Sequence, residues 1–272
     1  MLRELLERDC LFSFTPAQLA DPATIALAHD PAYVRAFLDG TLDPRAMRRI
    51  GFPWSPAMVD RTLASAGSTL AATADALECG WGATLAGGTH HALYGEGAGF
   101  CVFNDIAIAI RKLQKDRRIA RAAVIDLDVH QGDGTAAIFA ADDNVFTFSM
   151  HGEGNFPFRK QASRLDIALP DGTGDQPYLE RLCGALPEVA AFEPEIIFYQ
   201  SGVDALATDR LGRLSLTPAG MMERDRLVFA SCRELDVPVV VTLGGGYSDP
   251  IEATVEAHAN TFRMARALLT RA

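Results

Sequence analysis

Several features are missing from this sequence, and each absence removes a class of protein. No apolar run is long enough to cross a bilayer. The first nine residues, Met1 to Asp9, alternate charge with leucine where a secretory signal would carry an apolar centre, which argues against export. The five cysteines (Cys10, Cys79, Cys101, Cys183 and Cys232) are odd in number, scattered and without a C-x-x-C pair. That leaves neither a disulfide framework nor a cysteine zinc site, and it fits a reducing cytoplasm. Basic charge is also in deficit: 25 Lys and Arg stand against 35 Asp and Glu, for a net charge of −10. Such a surface repels phosphate backbones and argues against direct nucleic-acid binding, while a cationic substrate stays open. Repeats, low-complexity tracts and linkers are missing too, so a single domain over residues 1–272 is expected.

What is present is an alternation of apolar β-branched runs with helical stretches. Asp21-Pro22 and Asp30-Pro31 each open a helix within the first 40 residues. His29 sits there four residues before Tyr33, a position for packing or capping and not for a ligand. Ser55-Pro56 starts an alanine-rich helix to about Glu78, and a strand over 81–86 follows. Next come a helix over about 101–115, a strand from 124, a strand over 145–151 and a helix over 175–192. A strand over 195–204, a helix over 217–235, a strand over 237–243 and a long helix over 250–269 complete the chain. This pattern implies an α/β fold with a parallel β-sheet and helices on both faces. Ligands in such folds sit beyond the carboxyl ends of the strands.

The chemistry-bearing residues fall at those ends. Val124-Ile125 leads into Asp126, Asp128 and His130 at every second position, which on a strand would share one face. Two carboxylates and an imidazole cannot stay buried unpaired, and a divalent metal is the simplest partner. Gln131-Gly132-Asp133-Gly134 reads as the turn that carries Asp133 back to the same place. His90-His91 follow Gly87-Gly88, Asp204 closes a strand much as Asp128 does, and Gly244-Gly245-Gly246 present Tyr247. The loop Gly95 to Gly99 is not followed by a phosphate-binding Lys-Ser/Thr, so Phe100 reads as a pocket wall. Phe156 and Phe158, in a Gly/Pro loop, read as minor core or as a channel wall. Cys101 reads as a buried structural thiol and not a nucleophile.

Five ordered motifs then carry a resemblance. Gly87-Gly88-Thr89-His90-His91, Gly99-Phe100-Cys101-Val102-Phe103-Asn104, the Asp126 to Gly134 stretch, Gln200-Ser201-Gly202-Val203-Asp204 and Gly244-Gly245-Gly246-Tyr247 resemble the histone deacetylase family. Leu169 to Asp175 and Asp209 to Ser215 look closest to its class IV branch, and the likeness runs from about His29 onward. It implies the arginase/deacetylase fold and a metal-dependent deacylase acting on an acylated lysine of a protein or on an acylated small amine. It further implies zinc, or ferrous iron, held by Asp128, His130 and Asp204, with Asp126 paired to His90 and Asp133 to His91. By the same likeness His91 carries the proton to the leaving amine, His90 mainly supplies positive charge, and Tyr247 donates to the oxyanion. Gly99, Phe100 and Phe156 would form a substrate tunnel, and a potassium ion would sit near Asp126 on Asp128, His130, Ser149 and Met150.

Two departures stand out. The chain starts late relative to the family's additional N-terminal strand and rim loop, and Gly-Gly-Thr precedes the histidines where Pro-Gly is commoner. The first keeps an alternative in play, a metal-holding acyl-lysine binder that no longer turns over. An arginase-like di-manganese hydrolase would need more aspartates in the metal motifs.

Overall fold

The computed structural model describes residues 1–270, so the last two residues of the expected span 1–272 lie outside the described residues. In chain order the elements are α1 (Leu2–Asp9), α2 (Pro22–Ile25), α3 (Pro31–Leu38), α4 (Pro44–Ile50), α5 (Pro56–Cys79), β1 (Trp81–Ala83), α6 (Asp105–Lys115) and β2 (Ala122–Asp126). There follow α7 (Asp133–Phe139), β3 (Val145–Gly152), β4 (Leu165–Leu169), α8 (Asp175–Ala191), β5 (Ile197–Gln200), α9 (Pro218–Leu235), β6 (Val239–Thr242) and α10 (Ile251–Leu269).

Helix starts follow from local chemistry. Asp30, Asp43, Ser55, Asn104 and Thr217 each accept a hydrogen bond from a backbone N–H in the first turn, at 2.7–3.1 Å. Four of these caps precede a proline whose fixed φ suits the first helical position. Asp21-Pro22, by contrast, yields only the single turn of α2.

The sheet order is β1-β6-β5-β2-β3-β4, and every pairing is parallel. Alternate residues of its strands feed two separate cores. Ala123, Ile125, Ile197, Tyr199, Val239 and Val241 pack with α8, α9 and α10. Ala122, Val124, Phe198 and Val240 pack with α5 and α6 on the other side. Continuous apolar runs in the strands are the signature of that two-sided burial. The expected α/β class with helices on both faces is therefore what the chain forms.

Strand lengths and one helix start need correction. The strand expected over 81–86 ends at Ala83, and the helix expected from 101 begins at Asp105 because Asn104 caps it. The strand expected over 195–204 is Ile197–Gln200. The strand from 124 stops at Asp126, so Asp128 and His130 do not share a strand face. They sit on the loop beyond it, because Asp128 and His130 turn their carboxylate and backbone groups into local hydrogen bonds instead of a ladder. The edge strand β4 went unanticipated although Leu165, Ile167 and Leu169 alternate with Asp166 and Ala168.

Position follows from topology. From β2 the chain runs outward to β3 and β4, then returns to place β5 on the opposite side of β2. The crevice between β2 and β5 is thus a topological switch point, where open α/β sheets bind ligands.

Candidate active site

The loops that follow β1, β6, β5 and β2, four adjacent strands, supply the histidine pair, the three candidate metal donors and the tyrosine, while Asp126 ends β2, Asp133 opens α7, Ser149 and Met150 lie in β3 and Phe156 follows it. His90 and His91 follow β1, Asp128 and His130 follow β2, Asp204 follows β5 and Tyr247 follows β6. A cavity of about 960 Å³ opens over them, lined among others by His90, His91, Asp128, His130 and Tyr247.

At its floor, one ligand atom each from Asp128, His130 and Asp204 lie within 4.8 Å of one another. His130 Nδ1 is 3.1 Å from Asp128 Oδ1 and 3.0 Å from Asp204 Oδ2. The other carboxylate oxygens are spent on the backbone: Gly245 N–H donates to Asp128 Oδ2 at 2.6 Å and Val129 N–H to Asp204 Oδ1 at 2.9 Å. Burial first, and then the charge of Asp128, pushes Asp204 up to about 7. Asp128, whose burial is outweighed by His90 and His130, is held well below the usual carboxylate range. Two buried acids so close repel each other, and a divalent cation held by Asp128, His130 and Asp204 would relieve that repulsion. The donor set of two oxygens and one nitrogen fits a catalytic metal, which keeps further positions open. Among the described residues this is the one such group found, which does not suit a two-metal centre.

The histidine pair lies alongside, with ring centroids 4.1 Å apart. His90 Nδ1 is 2.7 Å from Asp126 Oδ2 and His91 Nδ1 is 2.7 Å from Asp133 Oδ1, so both rings are held by their carboxylates. That pairing gives each ring a fixed orientation. The two rings differ in charge. Burial disfavours the cation at His90, but Asp126 and Asp128 overcome it and raise the group to about 9. At His91 burial, joined by the charge on His90, prevails over Asp133 and lowers it to about 4.

Tyr247 lines the same cavity. Burial and the charges of Asp128 and Asp204 raise its hydroxyl to about 12, so it keeps its proton at neutral pH. Asp209 holds the Tyr247 backbone N–H at 2.5 Å, and its other oxygen takes the N–H groups of Leu211 and Gly212 at 2.8 Å. In the sequence Asp209 stands only within a stretch of family likeness, and its link to Tyr247 crosses 38 residues.

The entrance is aromatic. Phe156 meets the His91 ring edge-to-face at 4.9 Å, and Phe100 lies 5.1 Å from Phe52. Gly99 is required on two counts: its φ is +54°, and a Cβ there would meet His91 Cδ2 at 2.6 Å. Phe100 shares the left-handed backbone at φ 65°. Lys160 Nζ holds the carbonyls of Asn155 and Pro157 at 2.5 and 2.7 Å, which ties down the Phe156 loop. Phe158 is 89% exposed at the rim and belongs to no core.

Other expected residues have different surroundings. Ser149 is in register with Asp126, and its hydroxyl lies 3.0 Å from His151 Nδ1; Met150 is fully buried beside it. His29 is structural: Nδ1 contacts the carbonyls of Leu93 and Tyr94, and Nε2 accepts from Asn104 N–H at 2.8 Å. Cys101 is buried, and burial pushes its thiol far above the usual range, which removes it as a nucleophile. Asp105 was missed altogether. Its carboxylate takes Gly88 N–H, Thr89 N–H, the Thr89 hydroxyl and the Thr69 hydroxyl at 2.5–2.9 Å, fixing the segment just before His90.

Known proteins resemble this chain in sequence and in fold. A family model described as the histone deacetylase domain matches residues 1–262. An uncharacterized protein of Picosynechococcus is 48% identical over 92% of this chain and 83% of its own length. Histone deacetylase 2 of Arabidopsis thaliana is 38% identical over 66% of this chain, which spans about half (48%) of that relative. Among solved structures, an HDAC homologue from Aquifex aeolicus superposes with a TM-score of 0.79 at 28% identity, covering 92% of this chain and 72% of the other. An acetylpolyamine aminohydrolase from Burkholderia pseudomallei gives 0.79 at 25% identity, over 98% and 89%.

Proposed function

Because the chain belongs to the histone deacetylase family, we propose that it is a zinc-dependent amidohydrolase that removes an acyl group from an acylated lysine or a similar acylated small amine. The observation that carries this reading is the convergence of Asp128, His130 and Asp204 beneath two acid-paired histidines and a tyrosine in one cavity. Asp128, His130 and Asp204 would hold zinc, or ferrous iron, and the ion when bound would supply a Lewis acid for the amide carbonyl and for water.

The chain's own groups do the rest. His91, neutral at pH 7 and oriented by Asp133 through Nδ1, accepts at Nε2 the proton that the attacking water loses and passes it to the leaving amine. His90, oriented by Asp126, holds positive charge with its Nε2 3.9 Å from Asp128 Oδ1. Tyr247, protonated at neutral pH, donates a hydrogen bond to the carbonyl oxygen as it gains negative charge. Gly99, Phe100 and Phe156 clasp the aliphatic stem and keep water from it. Asp126, Asp128, His130, Ser149 and Met150 would hold a potassium ion at the end of β2, where Asp126 is in register with Ser149. The five free thiols support a reducing, cytoplasmic setting.

The test is an acyl-length series. Purified, metal-analysed protein is incubated with lysine peptides and a polyamine carrying acetyl to decanoyl groups, and the released acid is measured. Release that vanishes in Asp128→Ala is expected. Tight peptide binding with no acid released would instead identify a binder that does not turn over.

A further inference from the structure

Arg224, on α9, is wholly buried. A guanidinium removed from water needs several partners; Nε and Nη1 have hydrogen bonds, while Nη2 has an ion-pair contact and no hydrogen bond of its own. Nε and Nη2 lie 2.9 and 2.7 Å from Asp225 Oδ1. Nη1 donates to the Gly202 carbonyl at 2.5 Å and, at the limit of a hydrogen bond, to the Leu127 carbonyl at 3.5 Å. Asp225 is itself held by the Tyr199 hydroxyl of β5 at 2.5 Å and the Thr261 hydroxyl of α10 at 2.6 Å.

Both carbonyls lie just past the end of a strand, β2 at Asp126 and β5 at Gln200. Leu127 immediately precedes Asp128, and Gly202 lies two residues before Asp204. Gly202 also forms the floor on which Asp128 rests. A Cβ at Gly202 would lie 2.3 Å from Asp128 Oδ2, and one at Gly244 would lie 2.5 Å from Gly202 Cα. The Asp128 carboxylate, the Gly202 backbone and the Gly244 backbone are thus stacked without slack. Any shift of the Gly202 peptide moves Asp128 and the Gly245 N–H that binds it.

We propose that Arg224 is a positioning residue for the metal site: a fixed cation in the core that anchors the loops after β2 and β5 and so sets the spacing of Asp128 and Asp204. This rests on the metal-site reading given above. The planar fork is essential to it, because one guanidinium must reach Asp225 and a loop carbonyl along different directions, which an ammonium does less well. Groups that orient metal ligands typically change affinity by about 10–100-fold when removed.

The experiment is cobalt(II) binding to the chelator-stripped full chain, read by the visible absorption of the bound ion in competition with a chelator of known affinity. Wild type, Arg224→Lys, Arg224→Met and Thr261→Val are compared, with circular dichroism to report folding. Arg224→Met is expected to weaken binding about 10–100-fold, Arg224→Lys by less, and Thr261→Val by no more than about threefold. A folded variant at position 224 that binds cobalt like wild type overturns the proposal. So does a Thr261→Val loss as large as that of Arg224→Lys, which would mark a general effect of loosening the core. If neither position-224 variant folds, Arg224 serves the core as a whole and the proposal is again wrong. Wild-type protein that binds no cobalt overturns the metal-site reading itself.

Discussion

Tyr247 and His29 show how little a residue's type says before its surroundings are known. Both are ring side chains with a polar handle, yet one lines the cavity and the other joins two loops to a helix start. Tyr247→Phe removes a hydroxyl and leaves the ring. It is expected to lower kcat by about 10²–10³-fold with little change in KM, since the hydrogen bond is made in full only to the developing oxyanion. Steady-state kinetics on an acetyl-lysine peptide checks this, and an unchanged kcat would remove Tyr247 from the chemistry. His29 makes a prediction about stability. Burial, against the hydrogen bonds to Tyr94 and Leu93, lowers it from 6.5 to about 4. Below pH 6.5 the unfolded chain takes a proton that the folded chain refuses, so stability is complete above that pH and drains away as pH falls toward 4. The urea midpoint of chelator-treated protein should therefore drop between pH 6.5 and 4.5, and His29→Gln should flatten the drop. Equal slopes for the two proteins would show that His29 does not carry the effect.

Between residue and molecule, the elements owe their limits to side-chain capping and their site to the segments between them. The starts of α3, α5 and α9 were legible, because an Asp, Ser or Thr before a proline satisfies a free N–H within a few residues, whereas α4 went unread and α6 was placed four residues early. Strand ends were less so. The alternation through Asp126, Asp128 and His130 suggested one strand face, but pairing stops at Asp126 and the loop brings the same residues together by another path. Alternation reports that side chains are treated differently, not that the backbone is paired. The strand β4 was missed for a related reason: an edge strand with only one buried face carries a weak signal over five residues. Asp105 belongs at this scale, since it joins α5, α6 and the segment leading to His90. Asp105→Ala should lower stability by about 3 kcal/mol, because hydrogen bonds to a charged group contribute about 1.5–3 kcal/mol each and several are lost together. It should also reduce kcat as the histidines lose their anchor. Urea unfolding and kinetics on the same preparation would show this, and a stable variant of full activity would contradict it.

For the whole molecule, the two cores hold the sheet from both sides and leave its carboxyl edge to the loops, where repelling carboxylates meet. A metal that binds only the folded chain should raise its stability by about 2.7 kcal/mol when present at 100 times its Kd. For a chain of this size that is a rise of several degrees in Tm, which Asp204→Ala should abolish. A thermal scan with and without zinc decides it, and an unchanged Tm would mean that the three donors do not act as one site. The amino-acid sequence by itself determined the parallel α/β class, the types of the longer elements and the chemistry of the donors, because periodicity and donor identity are local properties. Only the tertiary structure decided the order β1-β6-β5-β2-β3-β4, the ends of the strands and the partners of Asp105, Asp209 and Arg224. Those depend on which distant segments pack together, and a contact such as Arg224 to Leu127, 97 residues apart, leaves no pattern in the chain between them.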